Sequence, residues 1–76
     1  MKTQTQPYKY EIHASVDNVE VNSIFESYMN PEELSEFFKT ADATFRNFSV
    51  CGVVVYPSEI DYVARLNPDG SETVIF

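Results

Sequence analysis

The chain has 76 residues, of which 43% are hydrophobic and 14% aromatic, so it is long enough for one small folded domain, expected to span residues 1–76. Twelve acidic residues against five basic ones give a net charge of −7, which disfavours nucleic-acid binding because that binding depends on Lys and Arg neutralising phosphates. A single cysteine excludes an internal disulfide and a cysteine-rich metal site. The polar start lacks the apolar segment of a secretory signal, and no apolar run is long enough to span a membrane.

The first part of the chain predicts two strands joined by a tight turn. Residues 1–7 are polar, and we expect them to be disordered. From Tyr8 to Val16 apolar and polar residues alternate, which is typical of a half-buried strand. Asp17 and Asn18 both tolerate positive φ and suit a two-residue turn. The segment from Val19 to Tyr28 also fits a helical spacing, but the β-branched residues at its start favour a second strand.

The clearest helix signal in the chain begins at Asn30. Asn30 suits the N-cap, Pro31 suits the first helical position, and Glu33 completes the spacing of a capping box. We therefore predict a helix over Pro31–Ala41. On periodicity alone its apolar face belongs to the core. That face consists of Leu34, Phe37, Phe38 and Ala41, and it runs beside a row of carboxylates on Glu32, Glu33 and Glu36.

The second half of the chain predicts short strands separated by turns. Cys51–Gly52, Pro57–Ser58 and Asn67–Gly70 are the expected breaks, because Gly and Pro adopt turn conformations readily. The fold class expected is α+β, an antiparallel sheet of about five strands with one main helix packed on one face. The strands of this half are expected at Thr44–Val50, Val53–Tyr56, Asp61–Leu66 and Glu72–Phe76.

Few residues in the chain suit catalysis. His13 lies on the predicted polar face of the first strand, Cys51 lies in a turn without a neighbouring histidine, and the helix carboxylates are typical of a solvated face. No metal-ligand spacing, phosphate-binding glycine loop or dinucleotide motif occurs. We therefore expect a protein that acts by binding, without a cofactor or a metal, rather than an enzyme.

A resemblance to a known family rests on the order of a few short motifs. Glu26–Ser27 is followed closely by Pro31-Glu32-Glu33-Leu34 and then by Glu36. This order resembles the phage uracil-DNA glycosylase inhibitors, in which a Glu-Ser edge strand leads into a helix that opens with Pro-Glu-Glu. Tyr56-Pro57-Ser58-Glu59 and the hairpin after it are similar to the end of that family's fold. The resemblance covers Val19 to Phe76 and implies a second helix at the N-terminus, where the pattern predicts a strand.

The resemblance implies a DNA mimic that binds a host uracil-DNA glycosylase 1:1 in the host cytoplasm, without contacting nucleic acid or membrane. In the family, carboxylates take the places of phosphates, and an apolar pocket between helix and sheet holds the leucine with which the enzyme flips uracil out of the stack. The acidity also suits another phage inhibitor, such as an anti-CRISPR or anti-restriction protein, or a plain interaction module. The partner-binding residues implied are Glu26, Ser27, Tyr28, Met29, Glu32, Glu33, Leu34, Glu36, Phe37, Phe38, Val53 and Val55.

Overall fold

The computed structural model describes residues 6–76, which form an α+β fold of antiparallel strands and one main helix, as expected. These residues contain six strands, which form two sheets rather than the single sheet of about five strands that was predicted. Residues 1–5 of the end expected to be disordered lie outside the described residues. The elements are β1 (Tyr8–Val16), β2 (Val19–Ser27), α1 (Pro31–Ala43), β3 (Phe48–Val50), β4 (Val53–Val55), a single 3-10 turn (Pro57–Glu59), β5 (Ile60–Leu66) and β6 (Glu72–Val74). The larger sheet has the strand order β2-β1-β5-β6, and β3 and β4 form a separate hairpin.

The β1–β2 hairpin has the turn that its sequence predicts. Asp17 and Asn18 take φ values of 51° and 66°, and the strands pair from Val16 opposite Val19 as far as Tyr8 opposite Ser27. Residues 8–16 are a strand, so the helix that the family resemblance implies is not formed in this segment. Their alternation of apolar and polar residues matches the period of a strand and places every second side chain in the core.

Helix α1 begins as predicted and ends later than predicted. The backbone N–H of Glu33 donates to the Asn30 side chain, and the Asn30 N–H donates to the Glu33 carboxylate, both at 2.9 Å. The helix continues to Ala43, and the Thr44 hydroxyl donates to the Thr40 carbonyl at 2.9 Å. The strand expected from Thr44 begins only at Phe48, because the segment between them leaves the helix through Phe45, whose φ is +56°.

Helix α1 and the β3–β4 hairpin lie against the same face of the larger sheet. Their buried side chains share one apolar cluster with alternate residues of β1, and the opposite sheet face is not covered by any element of residues 6–76. After β6, the Ile75 N–H donates to the Val63 carbonyl at 2.8 Å, so the end of the chain remains beside β5. The apolar cluster consists of Tyr10, Ile12, Ala14, Leu34, Phe38, Val50, Val55 and Val63.

Within residues 6–76, no helix has the length and apolar character that crossing a membrane requires.

Candidate partner-binding edge

Strand β2 forms one edge of the larger sheet, because β1 is its only paired neighbour among the described strands. Phe25 stacks on the buried ring of Tyr10 at 5.6 Å, so odd-numbered residues of β2 face the helix and even-numbered ones face away. Glu26 is exposed on the face away from the helix, opposite Lys9. Ser27 points toward the helix, and its hydroxyl oxygen accepts a hydrogen bond from the Met29 N–H at 3.1 Å. The two residues of the Glu-Ser motif therefore point to opposite faces.

The link between β2 and α1 carries two exposed apolar side chains. Tyr28 is 63% exposed and Met29 is 39% exposed. The Tyr10 hydroxyl holds the link in place by donating a hydrogen bond to the Met29 carbonyl at 2.6 Å. Burial raises the pKa of Tyr10 above 10.0, and Tyr8 and Glu33 add to the rise, while Arg65 opposes it. Tyr28 and Met29 are thus presented to solvent at a fixed position beside the N-terminus of α1.

The three carboxylates of α1 have different surroundings. The Glu33 carboxylate accepts the Asn30 N–H and so belongs to the helix cap. Glu32 and Glu36 lie along a surface groove of about 420 Å³ that Ile75 also lines. Lys39 Nζ lies 3.7 Å from Glu36 Oε1, and both side chains are mostly exposed, so this pair contributes little to stability. Glu32 and Glu36 thus remain available to a partner on the helix side of the protein.

An apolar cavity of about 270 Å³ lies between α1, β2 and the β3–β4 hairpin. Leu34, Phe37 and Phe38 line it, as the resemblance implies, but their companions are Phe25 and Phe48. Val55 is fully buried in the core, Val53 packs against the core, and Met29 lies on the exposed link, so none of these three lines the cavity. The rim is polar, with exposed Ser49 and Cys51 and half-buried Ser23.

The sequence reasoning missed both aromatic residues that complete this cavity. Phe25 could have been found, because it pairs with Tyr10 in the register that the two-residue turn imposes. Phe48 could not, because its place depends on how the short β3–β4 hairpin packs against the rings of Phe37 and Phe38, at 5.7 and 5.4 Å. The cavity is therefore a product of tertiary packing rather than of the helix alone.

Two cations lie in a groove that Glu26 lines. This groove, of about 610 Å³, is bordered by Tyr8, Lys9, Glu26 and Arg65 among others. The guanidinium of Arg65 lies 4.9 Å from the centre of the Tyr8 ring, a cation–π distance. Arg65 Nε is buried and has no hydrogen-bond partner within residues 6–76. Lys9 lies opposite Glu26 in the β1–β2 register, but within residues 6–76 neither Lys9 nor Arg65 forms an ion pair with Glu26.

The uncovered face of the larger sheet carries a second group of polar side chains. His13 stacks on Tyr62 at 4.5 Å, and His13 Nε2 lies 3.3 Å from Glu11 Oε2. Burial raises the pKa of Tyr62, and Glu72, Glu11 and Asp61 raise it further.

The side chain of Cys51 does not contact His13. The Cys51 thiol donates a hydrogen bond to the Asn22 carbonyl at 3.3 Å, whereas His13 contacts Glu11 and Tyr62. Within residues 6–76, no group of three or more His, Cys, Asp or Glu could hold a metal ion.

Comparisons with protein families, with curated proteins and with solved structures find no match to this chain. Its function is therefore inferred from the residues and geometry described above.

Proposed function

We propose that the chain is a phage-encoded inhibitor of a host uracil-DNA glycosylase that acts in the host cytoplasm by occupying the DNA-binding cleft of the enzyme. The observation that carries the proposal is an acidic edge strand that runs within a few residues into an acidic helix N-terminus, with an apolar cavity between strand and helix. The order of the Glu-Ser and Pro-Glu-Glu motifs supports this target over others.

The two faces of the β2 edge suit insertion into a basic cleft. Glu26 presents its carboxylate on one face of the sheet, while Glu32 and Glu36 present theirs on the helix side. A DNA duplex likewise offers negative charge on two sides to the enzyme that binds it. Charge-assisted hydrogen bonds from Lys, Arg or backbone N–H groups to such carboxylates are stronger than neutral ones. The net charge of −7 would also speed the encounter with a basic cleft.

The cavity is of a size that suits one side chain of the partner. Its volume of about 270 Å³ is below the range of about 300–1,000 Å³ typical of sites for drug-sized ligands. Its walls are mainly the aromatic rings of Phe25, Phe37 and Phe48, which supply contact area to an aliphatic group. The leucine that a glycosylase inserts into DNA is such a group, and it would enter past Ser49 and Cys51.

A uracil-excision assay with stoichiometric protein tests the proposal. We expect cleavage of uracil-containing DNA to stop when the molar concentration of the protein equals that of the enzyme. We also expect Glu26→Lys to weaken inhibition far more than Glu72→Lys. Glu72 is the matched control because it is also an exposed strand residue, at the other end of the sheet order. Unchanged cleavage in the presence of the folded wild-type protein would end the glycosylase proposal.

A second candidate is a DNA mimic that blocks a different basic groove, as anti-CRISPR and anti-restriction proteins do. The exposed carboxylates of Glu32 and Glu36 along the groove beside α1 favour it, because they place negative charge on the helix side of the protein, away from the β2 edge. Inhibition of an RNA-guided nuclease, lost on Glu32→Lys/Glu36→Lys and retained on Glu26→Lys, would select this candidate.

A further inference from the structure

The outer edge of β2 carries a row of backbone groups that the sheet does not use. In a two-residue hairpin the residues that flank the turn exchange hydrogen bonds, and such pairs then alternate along the strands. Val16 and Val19 flank this turn, so the odd-numbered residues of β2 bond to β1. The N–H and C=O groups of Glu20, Asn22, Ile24 and Glu26 therefore point outward.

An independent contact supports this assignment. The Asn22 carbonyl accepts the Cys51 thiol at 3.3 Å, and Cys51 belongs to the β3–β4 hairpin rather than to β1. The Asn22 carbonyl must therefore point away from β1. Ile24 and Glu26, further along the strand, continue the same alternation toward the link with α1.

The side chains of these outward residues are also exposed. Glu20, Asn22, Ile24 and Glu26 are all exposed on the uncovered face, and Ile24, which is 59% exposed, lies between Asn22 and Glu26. β2 has nine residues, whereas the opposite edge strand, β6, has three. Within residues 6–76 the Asn22 carbonyl is taken by the Cys51 thiol, whereas the outward backbone groups of Ile24 and Glu26 have no hydrogen-bond partner. A long edge strand with such groups is a template for a further strand.

We infer that β2 binds an extended, basic segment of a partner protein as an added antiparallel strand. Backbone hydrogen bonds to Ile24 and Glu26 hold the segment, an apolar residue covers Ile24, and Lys or Arg residues six positions apart lie opposite Glu20 and Glu26. This inference concerns the geometry of binding at β2 and goes beyond the proposed glycosylase target, because it holds for any partner with such a segment.

Charge complementarity distinguishes this occupant from a second copy of the chain. Two β2 strands that pair antiparallel can use all four outward residues only with Ser23 opposite Ser23. In that register Glu20 of each copy lies directly opposite Glu26 of the other, and like charges in direct cross-strand pairs are destabilising. The edge is therefore protected against its own copy and selective for a basic strand.

A designed peptide tests the inference. The probe is a capped nine-residue peptide of alternating Thr and Val with Lys at its second and eighth positions. The control has the same composition with only one Lys moved by one residue, so that its two Lys lie on opposite faces and cannot both lie opposite Glu20 and Glu26. We expect the backbone amide NMR signals of Ile24 and Glu26 to shift when the probe is titrated into the protein. The probe should bind about tenfold more tightly than the control peptide. Equal binding of the two peptides, or shifts confined to α1, would overturn the inference.

Two sets of protein variants keep the test independent of the peptide. Ile24→Pro removes an outward N–H that the sheet does not use, so the variant should fold and lose the probe, whereas Ile24→Val keeps both the N–H and the apolar side chain and should keep the probe. Glu26→Lys should dimerise in sedimentation experiments, because the introduced lysine of each copy then lies opposite Glu20 of the other, while Glu20→Lys/Glu26→Lys should stay monomeric. Dimerisation of the wild-type protein through β2 would overturn the inference. It would also be overturned if the Glu26→Lys variant folds and dimerises no more than the Glu20→Lys/Glu26→Lys variant.

Discussion

The hydroxyl of Tyr10 donates a 2.6 Å hydrogen bond to the carbonyl oxygen of Met29, joining the middle of the sheet to the link between β2 and α1. Tyr10 is fully buried, and the two residues are 19 positions apart in the chain. Its aromatic ring also packs against Phe25 of β2. One side chain therefore positions the edge strand, the link and the start of the helix relative to one another.

Replacing Tyr10 by Phe should destabilise the protein without changing its fold. The variant loses one hydrogen bond, worth about 1 kcal/mol of unfolding free energy, and the apolar ring remains in place. For a domain of this size the melting temperature should fall by about 4–8 °C. Urea and thermal unfolding measure the change, with Tyr28→Phe as the control because Tyr28 is 63% exposed. Equal effects of the two substitutions would contradict the role assigned to the Tyr10 hydroxyl.

The same hydroxyl should make stability fall at alkaline pH. Since burial raises the pKa of Tyr10 in the folded state above 10.0, the folded protein holds this proton more tightly than the unfolded chain does. The resulting stability is complete below the ordinary pKa of tyrosine and is lost as the pH rises through the raised value. We expect wild type to lose more unfolding free energy than Tyr10→Phe between neutral pH and pH values above 10.0. Parallel pH profiles of the two proteins would show that Tyr10 does not cause the loss.

Substitutions at Glu33 should separate helix capping from charge. Glu33→Gln keeps an oxygen that can accept the Asn30 N–H, so its stability should stay close to that of wild type. Glu33→Ala removes that acceptor and should cost about 1 kcal/mol, the usual size of a cap contribution. Chemical denaturation compares the two variants. If both lose the same stability, the charge of Glu33 at the helix N-terminus matters more than its hydrogen bond.

Filling the cavity should block the proposed partner while leaving the fold intact. Ser23 lines the cavity from β2, and Ser23→Leu would place an aliphatic side chain where a residue of the partner would bind. We expect inhibition to weaken about tenfold or more, because burying a leucine is worth about 1.5–3 kcal/mol. Glu72→Leu is the control, since it adds the same side chain at an exposed position on β6, away from the cavity and from the β2 edge. Full inhibition by a folded Ser23→Leu variant would show that no side chain enters the cavity.

Features that depend on a few adjacent residues were predictable from the sequence. The capping box of Asn30 and Glu33 and the turn of Asp17 and Asn18 are local, and the structure has both as predicted. The alternation in β1 outweighed the helix implied by the family resemblance, because period-two burial can be satisfied only by a strand.

Features that depend on long-range packing were not predictable. The alternation rule would have separated Glu26 from Ser27, and the register of the two-residue turn would have placed Lys9 opposite Glu26. The position of Arg65 in the same groove could not be predicted, because it requires β5 to pair with β1. The cavity walls were misassigned to Val53 and Val55 for the same reason, because the orientation of the β3–β4 hairpin decides that Val55 enters the core and Phe48 the cavity.

The alternation of side chains along β2 has a consequence for how this protein can evolve. Odd-numbered positions pack toward the core, whereas the side chains of Glu20, Asn22, Ile24 and Glu26 are exposed on the other side of the sheet. Exchanges at these exposed positions change little of the packing energy, since surface substitutions usually alter stability by less than about 0.5 kcal/mol. Selection can therefore redirect the protein to a different binding target through this one strand while the rest of the domain stays as it is.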